Sequence, residues 1–352
     1  MILHVTREFS DRALGGIEQS IVLAALDTDF SHQVLALGRP GDAPQSRCHG
    51  LEIHRVFPMG SVKFFPWTPK WFRVLRELSR DADIVHLHSP FPLGEVALLG
   101  LQKPVVCTYH AEIVHYGWIG QLYQSVQARL LRKVRAIIAT SPAYASTVKI
   151  LRRCHDRVHV VPFGLPTKAQ DPVCPKAQLP SRFFLFVGSK RRYKGLSVLL
   201  EAARHCGYPV VIAGAGQRAL GTTCDAKEVI WLGSISESEK VWLLQHADAL
   251  ILPSTSRAEA FGIVLLEAMR QGLPCICTRL GTGADWVVVD HETGLVVESN
   301  HVCQLADAMT QIYSDTELRA QMGLAGRARF EKQFALSCYH RALGSVYRQV
   351  VV

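Results

Sequence analysis

The sequence predicts an α/β chain of two doubly wound domains, each a mostly parallel sheet with helices on both faces. Three observations carry this. Short apolar, β-branched runs alternate with helical patterns along nearly the whole chain. The runs are apolar at successive positions, as in strands covered on both faces. The alternation is interrupted once, by a proline-rich stretch near the middle, and then resumes.

In the first half the predicted strands are 1–5 (MILHV), 33–37 (QVLAL), 51–57 (LEIHRVF), 83–88 (DIVHLH), 104–109 (PVVCTY), 136–140 (AIIAT) and 157–161 (RVHVV). Helical patterns lie between most of them, at 17–26, 118–133 and 142–153. Residues 162–182 then carry Pro162, Pro166, Pro172, Pro175 and Pro180 without periodicity, which reads as a linker. The second series has strands at 183–187, 210–213, 229–232, 249–252, 274–277 and 294–297, with helices at 195–205, 237–246, 262–271 and 301–313. The tail, 315–350, reads as helical throughout. The expected division is a first domain over 1–164, a linker over 165–182, a second domain over 183–334, and a last helix, 335–352, that returns to the first domain. A cleft between two such halves is a common place for ligands.

The chain has 352 residues, 48% hydrophobic and 20% charged, enough for two cores and too apolar for disorder. Met1–Val5 lacks a basic leader and is followed at once by Arg7 and Glu8, so no signal peptide is expected, and no apolar run reaches the ~18–20 residues that span a bilayer. A cytoplasmic protein is expected, at most touching the inner face of a membrane. Net charge is +9. The first 164 residues carry 19 Lys/Arg against 13 Asp/Glu and the remainder 20 against 17, so the basic excess leans to the first half. That suits phosphorylated substrates or anionic lipid. No basic run with interleaved aromatics marks a nucleic-acid module. The cysteines are scattered and read as small buried apolar residues, with no zinc spacing and no disulfide framework.

The most informative stretch is 253–274, PSTSRAEAFGIVLLEAMRQGLP. Glu259 stands just before a helix expected to start near Gly262, and Glu267 lies inside it. Ala260, Phe261 and Gly262 offer backbone N–H groups at the helix start, a cradle for an anion or hydroxyl. A carboxylate beside free N–H groups can grip a polyol at several hydroxyls. The same residues also suit a capped helix, or a glycosidase pair. Carboxylates eight residues apart across a loop–helix junction need not flank one bond.

Glu259-x7-Glu267, set in PSxxxAExFGxxxLEAMxxGxP, resembles the signature of the retaining glycosyltransferases of family 4, whose fold is GT-B. The likeness runs along the whole chain. Gly15-Gly16-Ile17-Glu18 resembles the family's GGxE element, and His110 its sugar-contacting histidine. Phe186-Val187-Gly188 leading to Lys194-Gly195-Leu196 resembles its phosphate-binding element. Thr140-Ser141-Pro142, Val161-Pro162-Phe163-Gly164, Gly281-Thr282-Gly283, Trp286 and Glu292-Thr293-Gly294-Leu295 complete it. The resemblance implies donor contacts from Gly15, Gly16, Arg191, Lys194, Gly214, Ala260, Phe261, Gly262, Ile263 and Glu267. It implies His110, Glu259, Lys194 and Arg191 as the residues nearest the chemistry. Many members carry Arg directly after the glycine of this strand, where Ser189 stands here. Others place it three residues before the lysine, which selects Arg191, with Lys190 and Arg192 as alternatives. Lys194 and the arginine would neutralise the diphosphate as the glycosidic bond breaks.

Gly214-Ala215-Gly216-x-x-Ala219 resembles a dinucleotide fingerprint, but VIWLGS, the next strand, lacks the acidic residue that NAD needs. Asp27-x-Asp29 and Asp81-x-Asp83 read as solvated loops, so no metal and no cofactor are expected. Residues 63–80, KFFPWTPKWFRVLRELSR, read as a helix opened by Thr68 and Pro69. Trp67, Trp71, Leu75 and Leu78 recur at helical spacing, with Lys70, Arg73, Arg76 and Arg80 largely elsewhere. That face suits either the sheet or a membrane surface.

The expected function is retaining transfer of a hexose from a nucleotide-diphospho-sugar to a saccharide acceptor, lipid-linked, in bacterial surface polysaccharide synthesis. The resemblance is nearest to mannosyl- and rhamnosyltransferases, which favours a GDP-sugar. The alternatives are a UDP-sugar donor, a nucleotide-sugar epimerase of the same fold, and an inactive protein that binds saccharide or a partner.

Overall fold

A computed structural model describes residues 1–10, 15–27, 29–62, 65–111, 117–189, 191–214 and 227–351. The chain forms two compact units, Met1–Phe163 with Ser337–Val352, and Gly164–Leu336.

The first unit contains β1 (Ile2–Glu8), α1 (Gly16–Ala25), β2 (His32–Leu37), β3 (Gln45–Cys48), β4 (Leu51–Val56), β5 (Gly60–Val62), β6 (Phe65–Trp67), α2 (Lys70–Ser79), β7 (Ile84–Ser89) and α3 (Pro92–Leu98). It continues with β8 (Val105–Tyr109), α4 (Gly117–Leu131), β9 (Ala136–Ala139), α5 (Pro142–Thr147), α6 (Lys149–Arg152) and β10 (Val158–Val160). Eight strands form one sheet in the order β10-β9-β8-β7-β1-β2-β4-β3, parallel except for β3 at its edge. The chain winds outward from β1 in one direction and from β7 in the other, so the order reverses between these two strands. That reversal opens a crevice at their carboxyl ends, where ligands of open α/β sheets sit.

The second unit contains β11 (Phe184–Val187), α7 (Leu196–Cys206), β12 (Val210–Ala213), β13 (Val229–Gly233), α8 (Glu237–His246), β14 (Ala249–Leu252), α9 (Ile263–Arg270), β15 (Cys275–Arg279), α10 (Ala284–Val287), β16 (Gly294–Glu298), α11 (Val302–Ser314) and α12 (Thr316–Arg329). Its six strands are all parallel, in the order β13-β12-β11-β14-β15-β16, and the switch point lies between β11 and β14. One core cluster fills the space between sheet and helices, from Phe184, Phe186, Leu199, Val210, Ile212, Ile251, Ile276 and Met309, all fully buried. α8 starts on a capping box, with Ser236 and Glu239 each bonding the other's backbone amide.

Residues 164–182 belong to the second unit. Leu165 exchanges backbone bonds with Phe334 and Leu336, and the Val173 amide donates to the Ser238 carbonyl at 3.1 Å.

The tail is not one helix. After α12 a wide π-turn, Phe330–Phe334, turns both phenylalanines inward, and Ala335 leaves helical geometry to bridge Leu165. α13 (Leu336–Val351) then begins, and its Tyr339, Leu343, Val346 and Tyr347 are buried. The His340 imidazole bonds the Leu23 carbonyl of α1 at 2.8 Å. The 142–153 pattern is likewise two helices, broken at the extended Val148. β3, the β5–β6 hairpin, α3 and α10 were not among the expected elements. Among the described residues every cysteine is a free thiol.

Candidate functional site

The second unit gathers its candidate residues at the switch point. The loop after β11 carries Gly188 to Gly195 and the loop after β14 carries Pro253 to Gly262. They touch closely. Gly195 has φ +69°, and a Cβ there would lie 1.7 Å from the Pro253 carbonyl oxygen, so only glycine fits. Thr255 donates its amide to the Tyr193 carbonyl at 2.7 Å.

This contact sets Lys194 beside Glu259. Lys194 Nζ donates to Glu259 Oε2 in a short ion pair, and Ser254 Oγ donates to the same oxygen at 3.1 Å. Glu259 is buried. Gly262, at φ +78°, is the N-cap of α9, and Cβ there would strike Leu252 Cδ2 at 2.8 Å. The first-turn amides of Ile263 and Val264, just after this N-cap, have no intrahelical partner. Glu267 lies one turn further along α9, buried, and Lys240 Nζ of α8 donates to its Oε1 at 2.9 Å. Lys240 also pairs with Glu237 at 2.8 Å. Burial pulls the Lys240 pKa down, but the two carboxylates outweigh it and the pKa ends raised.

A third loop closes against the second. Gly283 donates its amide to the Ala260 carbonyl at 2.7 Å, and a Cβ on it would lie 2.6 Å from that oxygen. The Asp285 carboxylate accepts the amides of Gly281 at 3.0 Å and Thr282 at 2.8 Å. The Thr282 hydroxyl is buried with no hydrogen-bond partner among the described residues.

Arg191 is exposed, and its side chain has no ion pair among the described residues; its carbonyl accepts the Lys194 amide at 3.0 Å and so opens the turn that carries Lys194. Gly214 has φ +84° and approaches Gly188, where a Cβ would lie 2.9 Å from the carbonyl oxygen. Lys190 and Ala215, Gly216 and Ala219 of the glycine loop lie outside the described residues, as do Lys63, Phe64 and His115.

In the first unit Gly15 is the N-cap of α1 and Gly16 its first residue. Glu18 is buried beneath them. Burial raises its carboxyl pKa against the pull of the nearby Glu18 and Gly15 amides. His110 follows β8. Its amide donates to the Ser89 carbonyl at 2.9 Å, and its ring stacks on Phe163 with centroids 5.9 Å apart. Burial pulls its pKa down to about 3, so it is a neutral imidazole at pH 7. His110 Nε2 meets His88 Nδ1 at 2.8 Å.

His4, His86 and His88 each offer a nitrogen within 4.8 Å of the others. Every one of those nitrogens already has a protein partner: His86 bonds Tyr347 at 2.6 Å and Thr108 at 2.7 Å, and His4 bonds His88 at 3.0 Å and His32 at 2.9 Å. Asp27 accepts the Asp29 amide at 3.1 Å, and Asp29 faces Arg348 at 3.5 Å.

The 63–80 reading needs correction in its geometry. The helix starts at Lys70, without a side-chain cap, and Trp67 lies before it in β6, exposed. Trp71 and Leu75 are buried, Trp71 edge-on to Phe91 at 5.1 Å. The helix's apolar face packs on its own unit, and Lys70, Arg73 and Arg76 stay in solvent.

Sequence reasoning missed Ser254, Lys240, Asp285, His4, His32 and His88. Only His86-x-His88 left a signal, since residues two apart share a strand face.

Two family models match the chain, "Glycosyltransferase Family 4" over residues 15–169 and "Glycosyl transferases group 1" over residues 173–329. The chain is 33% identical over 349 residues to the D-rhamnosyltransferase WbpZ of Pseudomonas aeruginosa, covering 95% of this chain and 92% of that one. It is 31% identical over 350 residues to the O-antigen chain mannosyltransferase C of Escherichia coli, covering 95% and 94%. Among solved structures it is similar to the sucrose-phosphate synthase of Thermosynechococcus elongatus, with TM-score 0.83, 20% identity, and 99% and 98% of the two chains covered.

Proposed function

The chain belongs to the family 4 glycosyltransferases and has their two Rossmann-like GT-B domains; from that premise we propose that it transfers a hexose, with retention and without a metal, from a GDP-sugar to a lipid-linked saccharide at the cytoplasmic face of a membrane. The relatives named for D-rhamnose and mannose support the hexose, and the one named for an O-antigen chain supports a polysaccharide acceptor. The observation that carries the reading is the switch point of the second unit. There two buried carboxylates, Glu259 just before α9 and Glu267 within it, are each held by a lysine.

In this reading Glu267 accepts hydrogen bonds from the nucleotide's ribose and Glu259 orients the sugar ring. Lys194 and Arg191 draw the diphosphate, with Gly214, Ala260, Phe261, Gly262 and Ile263 lining the donor. For the first unit, the family resemblance supports Gly15 and Gly16 as diphosphate contacts and His110 as a sugar contact. The bond from the anomeric carbon to the diphosphate oxygen breaks, and its electron pair leaves with the diphosphate. The acceptor hydroxyl oxygen bonds the same carbon on the same face. Its proton passes to the departing phosphate oxygen, so no side-chain nucleophile is needed. Lys194 acts most as charge gathers on that oxygen.

The test separates the glutamates. Losing a hydrogen bond to a charged group costs ~1.5–3 kcal/mol. Glu267→Ala should weaken bare GDP by that amount in calorimetry. Glu259→Ala should bind GDP at least as well as the parent, because it frees Lys194 for the anion. It should still lose turnover, scored in EDTA as sugar label entering the lipid-extractable fraction of supplied membranes. If Glu259→Ala abolishes GDP binding in a folded protein, the roles are wrong. If EDTA stops the parent and Mg²⁺ restores it, the metal-free reading is wrong.

A further inference from the structure

Four imidazoles run through the first unit as an unbroken hydrogen-bonded row. His32 Nδ1 meets His4 Nε2 at 2.9 Å, His4 Nδ1 meets His88 Nε2 at 3.0 Å, and His88 Nδ1 meets His110 Nε2 at 2.8 Å. Three adjacent parallel strands and the residue that follows a fourth build it. His32 opens β2, His4 lies on β1, His88 on β7, and His110 follows β8. Successive rings lie 5.2, 5.2 and 5.1 Å apart. The transfer as proposed above uses only the last of the four.

Burial keeps the row neutral at pH 7. It pulls His32 down to about 4 and His110 to about 3, and holds His4 and His88 well below the usual histidine range. A neutral imidazole carries one N–H and one lone pair. Three bonds between four rings take three of the four protons. Choosing the donor in one bond fixes the donor in the others, so the fourth proton sits at one end of the row, on His32 Nε2 or on His110 Nδ1.

The ends differ. His32 Nε2 is buried with no hydrogen-bond partner among the described residues, so a proton there would be an orphaned N–H, a rarer defect in folded proteins than an under-satisfied acceptor. An unfilled lone pair is the milder defect. His110 Nδ1 is not among the buried unpartnered atoms. The fourth proton therefore belongs on His110, and each bond runs from Nδ1–H of one ring to Nε2 of the next.

We infer that His32, His4 and His88 are a positioning relay that fixes His110 as a neutral hydrogen-bond donor through Nδ1, directed at a hydroxyl oxygen of the donor sugar. This rests on the reading of His110 as a sugar contact. The relay moves no net charge. It removes the ambiguity of a free imidazole, which can present a donor or an acceptor at the same point. One far residue then sets the polarity of the near one, three rings away.

That remote control gives the test. Position 32 is half-buried at the start of β2, where polar side chains are tolerated. Lysine is only a donor and should preserve the row as it stands. A carboxylate is only an acceptor; it should draw a proton from His4 Nε2 and reverse all three bonds, leaving a lone pair on His110 Nδ1. Nitrogen-15 NMR of the histidine-labelled full chain reads the tautomers. The parent and His32→Lys should show His110 protonated at Nδ1, and His32→Glu should show it protonated at Nε2. Turnover should stay near the parent's in His32→Lys and fall roughly tenfold or more in His32→Glu, as for loss of one aimed donor. Bare GDP should bind all three equally.

The parent spectrum needs no variant to fold. Protonation of His110 at Nε2 in the parent would overturn the inference. So would an equal loss of turnover in both variants, or stoichiometric zinc in the purified protein with His4, His86 and His88 as its ligands. If the tautomers reverse as stated, yet turnover is unchanged and GDP-mannose leaves the parent's His110 signals in place, the relay has no role in transfer and the sugar contact assigned to His110 falls with it. The second unit's reading stands or falls separately, on GDP binding.

Discussion

The two units bury polar groups in different ways. The first relies on neutral imidazoles: His4, His86, His88 and His110 are buried, bonded to one another or to Thr108 and Tyr347. The second relies on charge against charge: Lys194 on Glu259, Lys240 on Glu267, and Arg182 and Arg319 on Asp248 at 3.1 and 2.9 Å. Its described histidines, His205, His246, His291 and His301, are exposed. A neutral network is vulnerable to the proton, because its members must charge when the chain unfolds in acid. An ion pair is vulnerable to loss of its partner, because the remaining charge is stranded. The same kind of doubly wound sheet is thus stabilised on two terms.

Acid should produce the largest difference. The folded pKa values of His32, His86 and His110 lie at about 4, 3 and 3, below the unfolded value near 6.5. The unfolded chain binds protons that the folded unit refuses, so stability is full above about pH 6.5 and is lost as pH falls toward those values. Three such groups cost up to ~4 kcal/mol per pH unit within that window. Glu18 and Glu95, whose carboxyl pKa values are raised by burial, run the other way, as two groups against five histidines. Hydrogen exchange at pH 7 and pH 5 should show protection lost first in β1, β7 and β8, with β11 and β14 still closed. Simultaneous opening, or the second unit opening first, would break the comparison.

Removing one partner should rank next, and should rank differently in the two units. Lys240→Met leaves Glu267 buried without its lysine, which costs ~3–5 kcal/mol for a buried pair. Tyr347→Phe removes one neutral bond to His86 and should cost ~0.5–1.5 kcal/mol. Urea unfolding of both variants, followed by probes in each unit, measures the gap. Equal costs would mean that the ion pair is no more demanding than the hydroxyl.

This contrast was only half legible in the sequence. The strands were, because runs such as VVIA at 210–213 and ALIL at 249–252 are apolar at every position, and only a strand covered on both faces needs that. β3 was not, because QSRC sits at a sheet edge and needs no apolar face. The tail's break at Ala335 was invisible because its cause is a bridge to Leu165, far away in the chain. Glu259, Glu267 and Lys194 stood out by motif. Lys240 did not, since it reaches Glu267 from another helix 27 residues earlier. His4 and His88 are 84 residues apart and become neighbours only once β1 and β7 are known to pair. Motifs report what a loop offers; the partners that hold it come from strand order.

The smallest expected effect on stability is the one that best separates fold from function. Gly15 and Gly16 stand side by side at the start of α1, yet a Cβ would meet different surroundings. At Gly15 it would lie 2.6 Å from Glu18 Oε2, so alanine must displace that carboxylate. At Gly16 nothing lies within 4 Å, and its φ is not in the left-handed region. Alanine there meets no clash, and it suits a helix better than glycine by up to ~1 kcal/mol, less at the first turn. Gly16→Ala should therefore melt within a degree or two of the parent or slightly above it, on the scale of a few tenths of a kcal/mol. If Gly16 lies against the diphosphate, the added methyl occupies space that only the ligand uses. Turnover should then fall while bare GDP binding to the second unit's residues changes less. A variant with both the parent's melting temperature and the parent's kinetics would remove Gly16 from the donor site and leave the first unit's part in binding to His110.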